Sequence, residues 1–341
     1  MVKKKRIALT IIALVVFLLI QKGKGFFIMS KYEWLPSESA SENYPMEIIK
    51  GDFILSDNSS IYIPDGKTIH NGWGEALSIH IVGERFKPLP VKLFIHWFSY
   101  TEDKFFKGTF DLPYEKINNL FKIGIKDPLT NEDISYNRII VGLAPEGELS
   151  LWLSSRVNVL EVANFKAEEV KTNWKTFLDN EKISRADYIN LVLEEVLSKE
   201  QIEKLKKNGI PKGQWDSYRK QYPWEPEIIV STPLIMWSKS YNGEYEFFNF
   251  SKIENKRTHR SIPKRIRINW INLYKNKYTA DITFNEGEIL QAFKKMSTDA
   301  PAHEMKLRFV INEKSQIIDI FLRDSLLILQ LEKIQIKIYK L

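Results

Sequence analysis

The residues of this chain that could do chemistry are thinly spread. Its five histidines are His70, His80, His96, His259 and His303. They form neither an HExxH nor an HxH pair, so a hydrolytic zinc site has no local support. The chain has no cysteine, which removes thiol catalysis, disulfides and cysteine-zinc sites together. It has no GxSxG elbow and no phosphate-binding loop. Gly72-Trp73-Gly74 lacks the strand-to-helix context of a phosphate cradle and reads as a tight turn beside a packed tryptophan. Glu102, Asp103 and Asp111 lie near strand ends. Acid–base work needs two carboxylates whose environments split their pKa values, and these three read as solvated turn acids. His96 precedes Trp97 on a strand. The alternation of Val91, Leu93, Ile95 and Trp97 turns Lys92, Phe94 and His96 to the opposite face. No catalytic residue, metal ligand or cofactor is assigned, and the expectation is a protein that is not an enzyme.

One charged feature points outward. From Lys252 to Lys277 there are nine cations against the single acid Glu254. Arg265 and Arg267 alternate with Ile266 and Ile268, so they line the outer face of a strand. Such a face can simply guard a sheet against aggregation. It can also dock an acidic protein or anionic lipid heads, because the arginine fork grips carboxylate or phosphate with two hydrogen bonds. Arg257, Arg260, Arg265 and Arg267 are the candidate partner-binding residues.

The first residues say where this face would be displayed. Lys3, Lys4, Lys5 and Arg6 precede Ile7 to Ile20, an apolar run broken only by Thr10. This is the pattern of an export signal. Gln21-Lys22-Gly23-Lys24-Gly25 is a poor cleavage context. The run is short of the ~20 residues of a spanning helix, but Phe26, Phe27 and Ile28 could extend it. Two fates stay open: an uncleaved anchor through Ile7, Leu14, Phe17 and Ile20, or a cleaved signal. The denser basic cluster comes first, which places residues 1–6 inside and the body in the periplasm. Residues 1–24 carry six cations and no acid, so the body is close to neutral against a net charge of +7. A nucleic-acid binder should carry its basic footprint on the folded domain, so nucleic acid is not an expected partner.

The elements that would position these residues read as one unit used twice. Leu89-Pro90 to Trp97 and Ile262-Pro263 to Trp270 match in pattern. Each is followed by a strand (Lys104 to Leu112; Lys277 to Phe284) and a helix with an apolar i, i+4 pair (Ile117 and Phe121; Ile289 and Phe293). Then come strands aligned as 138–143 with 307–312, 149–153 with 318–322, and 159–165 with 328–334. An extra strand is expected before each unit, at 76–82 and 245–250. The expectation is an α+β fold of two tandem duplicated units, each an antiparallel sheet with one packed helix, related by an approximate two-fold. The boundaries are 1–29 anchor, 30–45 tether, 46–170 first unit, 171–226 helical and aromatic linker, and 227–341 second unit. Ile189, Leu193, Val196 and Leu197 give the linker an apolar stripe, and Asn208-Gly209-Ile210-Pro211 ends its helix.

Gly72-Trp73-Gly74, Pro90, His96-Trp97-Phe98-Ser99-Tyr100, Lys104-Phe105-Phe106 and Phe110-Asp111-Leu112-Pro113 resemble the family called domain of unknown function 2931. Val141 to Gly147 and Leu151-Trp152-Leu153 extend the likeness. The resemblance implies a Gram-negative envelope protein, often a lipoprotein. This chain departs from that, since it has no cysteine to carry lipid. The family lends no catalytic residues. Genes of such proteins near antibacterial secretion systems imply a toxin-neutralising role. The resulting expectation is a membrane-anchored, periplasm-facing immunity protein that occludes a toxin. The alternatives are an envelope hydrolase or carbohydrate-binding protein, or a structural envelope component.

Overall fold

A computed structural model describes residues 30–78, 81–178, 182–251, 258–299, 304–312, 314 and 317–341. The anchor residues Ile7, Leu14, Phe17 and Ile20, and the candidate Arg257, lie outside the described residues. Among the described residues, no helix is long and apolar enough to cross a membrane. The fold is mostly β-sheet with a few helices.

The first half is built from β1 (Leu35–Ala40), β2 (Met46–Leu55), β3 (Ser60–Tyr62), β4 (Pro90–Ser99), β5 (Lys104–Asp111), α1 (Tyr114–Ile123), β6 (Arg138–Leu143), β7 (Glu148–Ser154), β8 (Val159–Lys166) and β9 (Glu168–Val170). The helices α2 (Arg185–Val196) and α3 (Lys199–Asn208) follow. The second half contains β10 (Trp224–Ile229), β11 (Thr232–Ser240), β12 (Tyr245–Asn249), β13 (Pro263–Ile271), β14 (Lys277–Phe284), α4 (Glu286–Asp299), β15 (Met305–Asn312), β16 (Ile317–Arg323), β17 (Ile328–Leu331) and β18 (Ile334–Lys340).

Each half has two sheets rather than the single sheet expected. In the first, β1-β6-β7-β8 faces β9-β5-β4-β2-β3; in the second, β10-β15-β16-β17 faces β18-β14-β13-β11-β12. The order of pairings is the same in both. β1 runs parallel to β6, and β10 runs parallel to β15. The bulges recur too: one opposite Trp97 and Trp270, another opposite Pro90 and Pro263. Inward residues of facing sheets close each core around the helix pairs Ile117/Phe121 and Ile289/Phe293, all buried as the i, i+4 spacing predicts. Trp97 stacks on Phe106, and Trp270 stacks on Tyr278, at 5.5 and 5.6 Å.

Several expectations need correction. Residues 30–45 are not a tether, because β1 is buried between β6 and the loop of residues 67–78. Its polar residues Ser37, Glu38 and Ser39 are fully buried and are bonded to that loop. Ser37 donates to the Ser78 carbonyl at 3.1 Å, Ser39 to the Gly72 carbonyl at 2.9 Å, and Glu38 accepts from Ser78 at 2.5 Å and pairs with Lys67 at 2.6 Å. No strand forms among the described residues of 76–82; the counterpart of β12 is β3, which pairs with β2 as β12 pairs with β11. The match of 138–143 with 307–312 is one residue out of register, since Pro36 sits opposite Ile139 and Pro226 opposite Leu307. Residues 328–340 form two strands, in different sheets.

The halves do not meet around a two-fold axis. Edge strand β8 of the first half's smaller sheet abuts edge strand β12 of the second half's larger sheet, through Val159 and Tyr245. Unlike edges meet, which makes the join heterologous and yields one nine-stranded sheet. Trp73 and Trp152 pack edge-to-face at 4.8 Å, and Trp152 Nε1 donates to the Asn242 carbonyl across the join at 3.1 Å. A Cβ on Gly74 would lie 2.6 Å from the Gly243 carbonyl oxygen. Gly72-Trp73-Gly74 is therefore the expected tight turn, and Gly74 and Gly243 let the two backbones touch.

Candidate functional site

Arg265 and Arg267 project from β13 onto the outer face of the second half's larger sheet, as the alternation predicts. Their side chains are 53% and 55% exposed. The pairing register sets Trp237, Arg267, Asp281 and Lys337 in one row across four strands, and Lys239, Arg265, Thr283 and Gln335 in the next. Tyr245 and Tyr339 flank these rows. Together they line a shallow hollow of about 640 Å³. The fork of Arg267 is occupied by Asp281, with contacts of 2.5 and 2.8 Å. That hydrogen bonding holds the Asp281 carboxyl below its usual range. Arg265 pairs with Glu42 at the longer distance of 3.9 Å. Arg265, Arg267 and Lys337 against Asp281 leave the face basic.

Arg260 is not on this face. It is 2% exposed, donating from Nε to Glu246 at 2.8 Å and from a terminal nitrogen to the Trp224 carbonyl at 2.9 Å. Its counterpart is Lys87, 3% exposed, which donates to the Trp34 carbonyl at 2.9 Å. Trp34 Nε1 in turn donates to the Pro88 carbonyl, and Trp224 Nε1 to the Ser261 carbonyl, each at 3.1 Å. A buried cation locks an indole at the entry of each half, so Arg260 is structural. Residues 260–261 pair with 221–222, which takes Arg260 out of the run of surface arginines.

The corresponding outer face in the first half is covered at one end. Phe98, Tyr100 and Phe105 are buried beneath Ile189 and Val192 of α2, with Trp174 and Phe177 beside them. Arg185 lies 4.9 Å above the Trp174 ring and pairs with Asp103 at 2.6 Å. His96, on this face, is half-buried and bonded to Thr172 at 3.0 Å. Burial, then the neighbouring Lys107, pushes its pKa down.

Carboxylates do come together at the join, but they are occupied. Arg219 meets Glu161 at 3.1 Å, Glu148 at 3.3 Å and Asp216 at 2.6 Å. Ser150 and Asn242 donate to the two oxygens of Glu161. Burial raises the Glu161 pKa. The cluster ties β7, β8, the linker and the β11–β12 turn together. Glu102 is not a solvated turn acid: it accepts from Ser99 at 2.7 Å and from the Glu146 amide at 2.9 Å, and burial raises its pKa. Asp111 is exposed and pairs with Lys92. Among the described residues, no group of His, Asp or Glu side chains is arranged to hold a metal ion.

Sequence reasoning missed Trp237, Lys337 and Tyr339. The alternation of Ile334, Ile336 and Ile338, inward and half-buried, was the signal that sets Gln335, Lys337 and Tyr339 outward.

The fold and this face define a two-part β-sheet protein with an open basic and aromatic surface. The family model described as "Protein of unknown function (DUF2931)" matches residues 21–213. The chain belongs to that family, and the match spans the first half and the linker as far as residue 213. No curated protein and no solved structure matches the chain.

Proposed function

We propose that this chain is a non-enzymatic, membrane-tethered binding protein of the bacterial periplasm that neutralises an antibacterial toxin by covering it. The single observation that carries the reading is the contrast between two equivalent faces. The first is covered at one end, where Phe98, Tyr100 and Phe105 lie beneath α2, and at the positions matching Arg265 and Thr283 it carries Lys92 and Asp111, exposed and paired with each other. The second leaves Arg265, Trp237, Lys337 and Tyr339 around an open hollow. Interfaces favour tryptophan, tyrosine and arginine. A basic rim speeds encounter with an acidic partner and selects against basic ones. Export rests on the basic and apolar pattern of residues 3–20. The recurring order of pairings supports an origin of the two halves by duplication.

Contact competition tests this function. A strain lacking the gene should be outcompeted by its parent on a surface. The full-length protein should restore survival, and Arg265→Glu with Lys337→Glu should not. Equal fitness of the deletion strain and its parent would refute toxin neutralisation. Full protection by the charge-reversed protein would refute this face.

A further inference from the structure

We propose that the folded body does not hang free of its membrane segment but rests on the bilayer, with the loop of residues 81–87 as a foot whose Ile81 and Phe86 enter the lipid headgroup layer. The inference rests on the membrane-tethered part of the function proposed above and goes beyond it, by naming a second membrane contact and the residues that make it.

Chain length carries the argument. Phe26-Phe27-Ile28 close the apolar segment, and strand pairing begins four residues later, where Tyr32 lies opposite Lys87 and Glu33 opposite Phe86. An extended chain spans at most ~3.6 Å per residue, so Tyr32 lies within ~14 Å of Ile28. Phe86 is held one strand spacing, ~5 Å, from Glu33. The loop is also locked in place. The buried Lys87 ammonium donates to the Trp34 and Val82 carbonyls, each at 2.9 Å, and Trp34 Nε1 donates to the Pro88 carbonyl at 3.1 Å. Both flanks of the loop are therefore fastened to the chain that follows the apolar segment.

This loop displays apolar side chains to solvent. Ile81 is 87% exposed and Phe86 51% exposed. Single exposed apolar residues are ordinary on a protein surface. Two on one loop, clamped beside the entry of a membrane segment, match the apolar and aromatic anchors that sit at headgroup level. The neighbouring charges cancel. Lys31 pairs with Glu84 at 3.0 Å and Arg85 with Glu33 at 2.9 Å, and Asp57 lies near Lys31. No surplus of cations is left to seek anionic lipid, so the contact is apolar insertion into a zwitterionic surface.

The chain has no cysteine, so a single one can carry an environment-sensitive dye. Ile81→Cys, Glu84→Cys and, as a reference in the second half, Leu326→Cys would each be labelled in the full-length protein. Each would be reconstituted in vesicles of phosphatidylethanolamine and phosphatidylcholine containing a shallow spin-labelled lipid. The dyes at 81 and 84 should be quenched at least twofold and shifted to the blue, and the dye at 326 should not. Replacing Ile81 and Phe86 by serine should abolish quenching of the dye at 84. Anionic lipid, added salt and Arg265→Glu should change none of these results. Vesicle flotation separates two failures. Protein that does not float with the vesicles refutes the tether, and the foot with it. Protein that floats with the dyes at 81 and 84 unquenched refutes the foot alone. Quenching that requires anionic lipid, or that is equal at 326, would also overturn the proposal.

Discussion

Replacing Arg260 with methionine separates a structural arginine from a displayed one. Its guanidinium is 2% exposed and holds Glu246 at 2.8 Å, with the Glu246 side chain 15% exposed. Removing one member of a buried ion pair costs about 3–5 kcal/mol, because the remaining charge stays buried without its partner. The Trp224 carbonyl loses a donor at the same time. With a urea m-value of about 3 kcal/mol/M, the midpoint of the second half should fall by about 1–2 M. Arg265→Met, at a side chain 53% exposed, should stay within about 0.5 kcal/mol. Replacing Arg260 and Glu246 together by methionines should recover most of the loss, since no unpaired charge remains. Equilibrium unfolding followed by tryptophan fluorescence reads all three proteins. An Arg260→Met protein as stable as Arg265→Met would refute the assignment of Arg260 to the interior.

Two further perturbations probe the join and Lys239. Gly74→Ala puts a Cβ 2.6 Å from the Gly243 carbonyl oxygen at a φ of +75°. The left-handed backbone costs about 1–2 kcal/mol and the overpacking about 1–3 kcal/mol. Destabilisation by at least about 2 kcal/mol in urea is expected, and a smaller effect would mean the halves are not in backbone contact. Lys239 is pushed down to about 7 by burial first, then by Lys264 and Arg265, against the pull of Glu42; Glu75 also touches its ammonium group. A lysine depressed in the fold binds fewer protons folded than unfolded between about pH 7 and 10.5, so stability rises with pH there. Lys239→Met should therefore stabilise the protein at pH 6, and the gain should shrink by pH 10. A gain that does not vary with pH would refute a buried, charged Lys239.

The parts legible in the sequence are those where alternation meets an apolar core. The strands that carry Trp97 and Trp270 and the helix pairs Ile117/Phe121 and Ile289/Phe293 all lie where periodicity puts them. The strand Leu35–Ala40 was illegible for a physical reason. Its centre, Ser37-Glu38-Ser39, is polar, and it is buried because the loop of residues 67–78 bonds to each of these three side chains. Hydropathy does not register such a strand. The strongest repeat signal lay in stretches that composition assigned to a tether and a linker. Tyr32-Glu33-Trp34-Leu35-Pro36 and Tyr222-Pro223-Trp224-Glu225-Pro226 share a Tyr-x-Trp-x-Pro spacing, and each opens a half with the same indole and cation lock. The docking face was half legible. Arg265 and Arg267 follow from alternation, whereas Arg260 depended on a pairing of residues distant in sequence.

The segment between the halves decides what each half can do. The two larger sheets have the same strand order, and each needs only its inner face for its own core. An outer face rich in Phe98, Phe105 and Tyr100 must be covered, and the chain covers it at once with the residues that follow β9. An outer face carrying Arg265, Arg267, Lys337 and Asp281 is charged enough to face water uncovered. The linker then runs on past the first face, and its last turns, with Trp215 and Tyr218, form one wall of the cleft between the halves. Two halves with the same order of strand pairings thereby acquire different surfaces from a single connecting segment. Loss of that segment's packing, as with Trp174→Ala, would expose an apolar face in one half and leave the basic face of the other untouched.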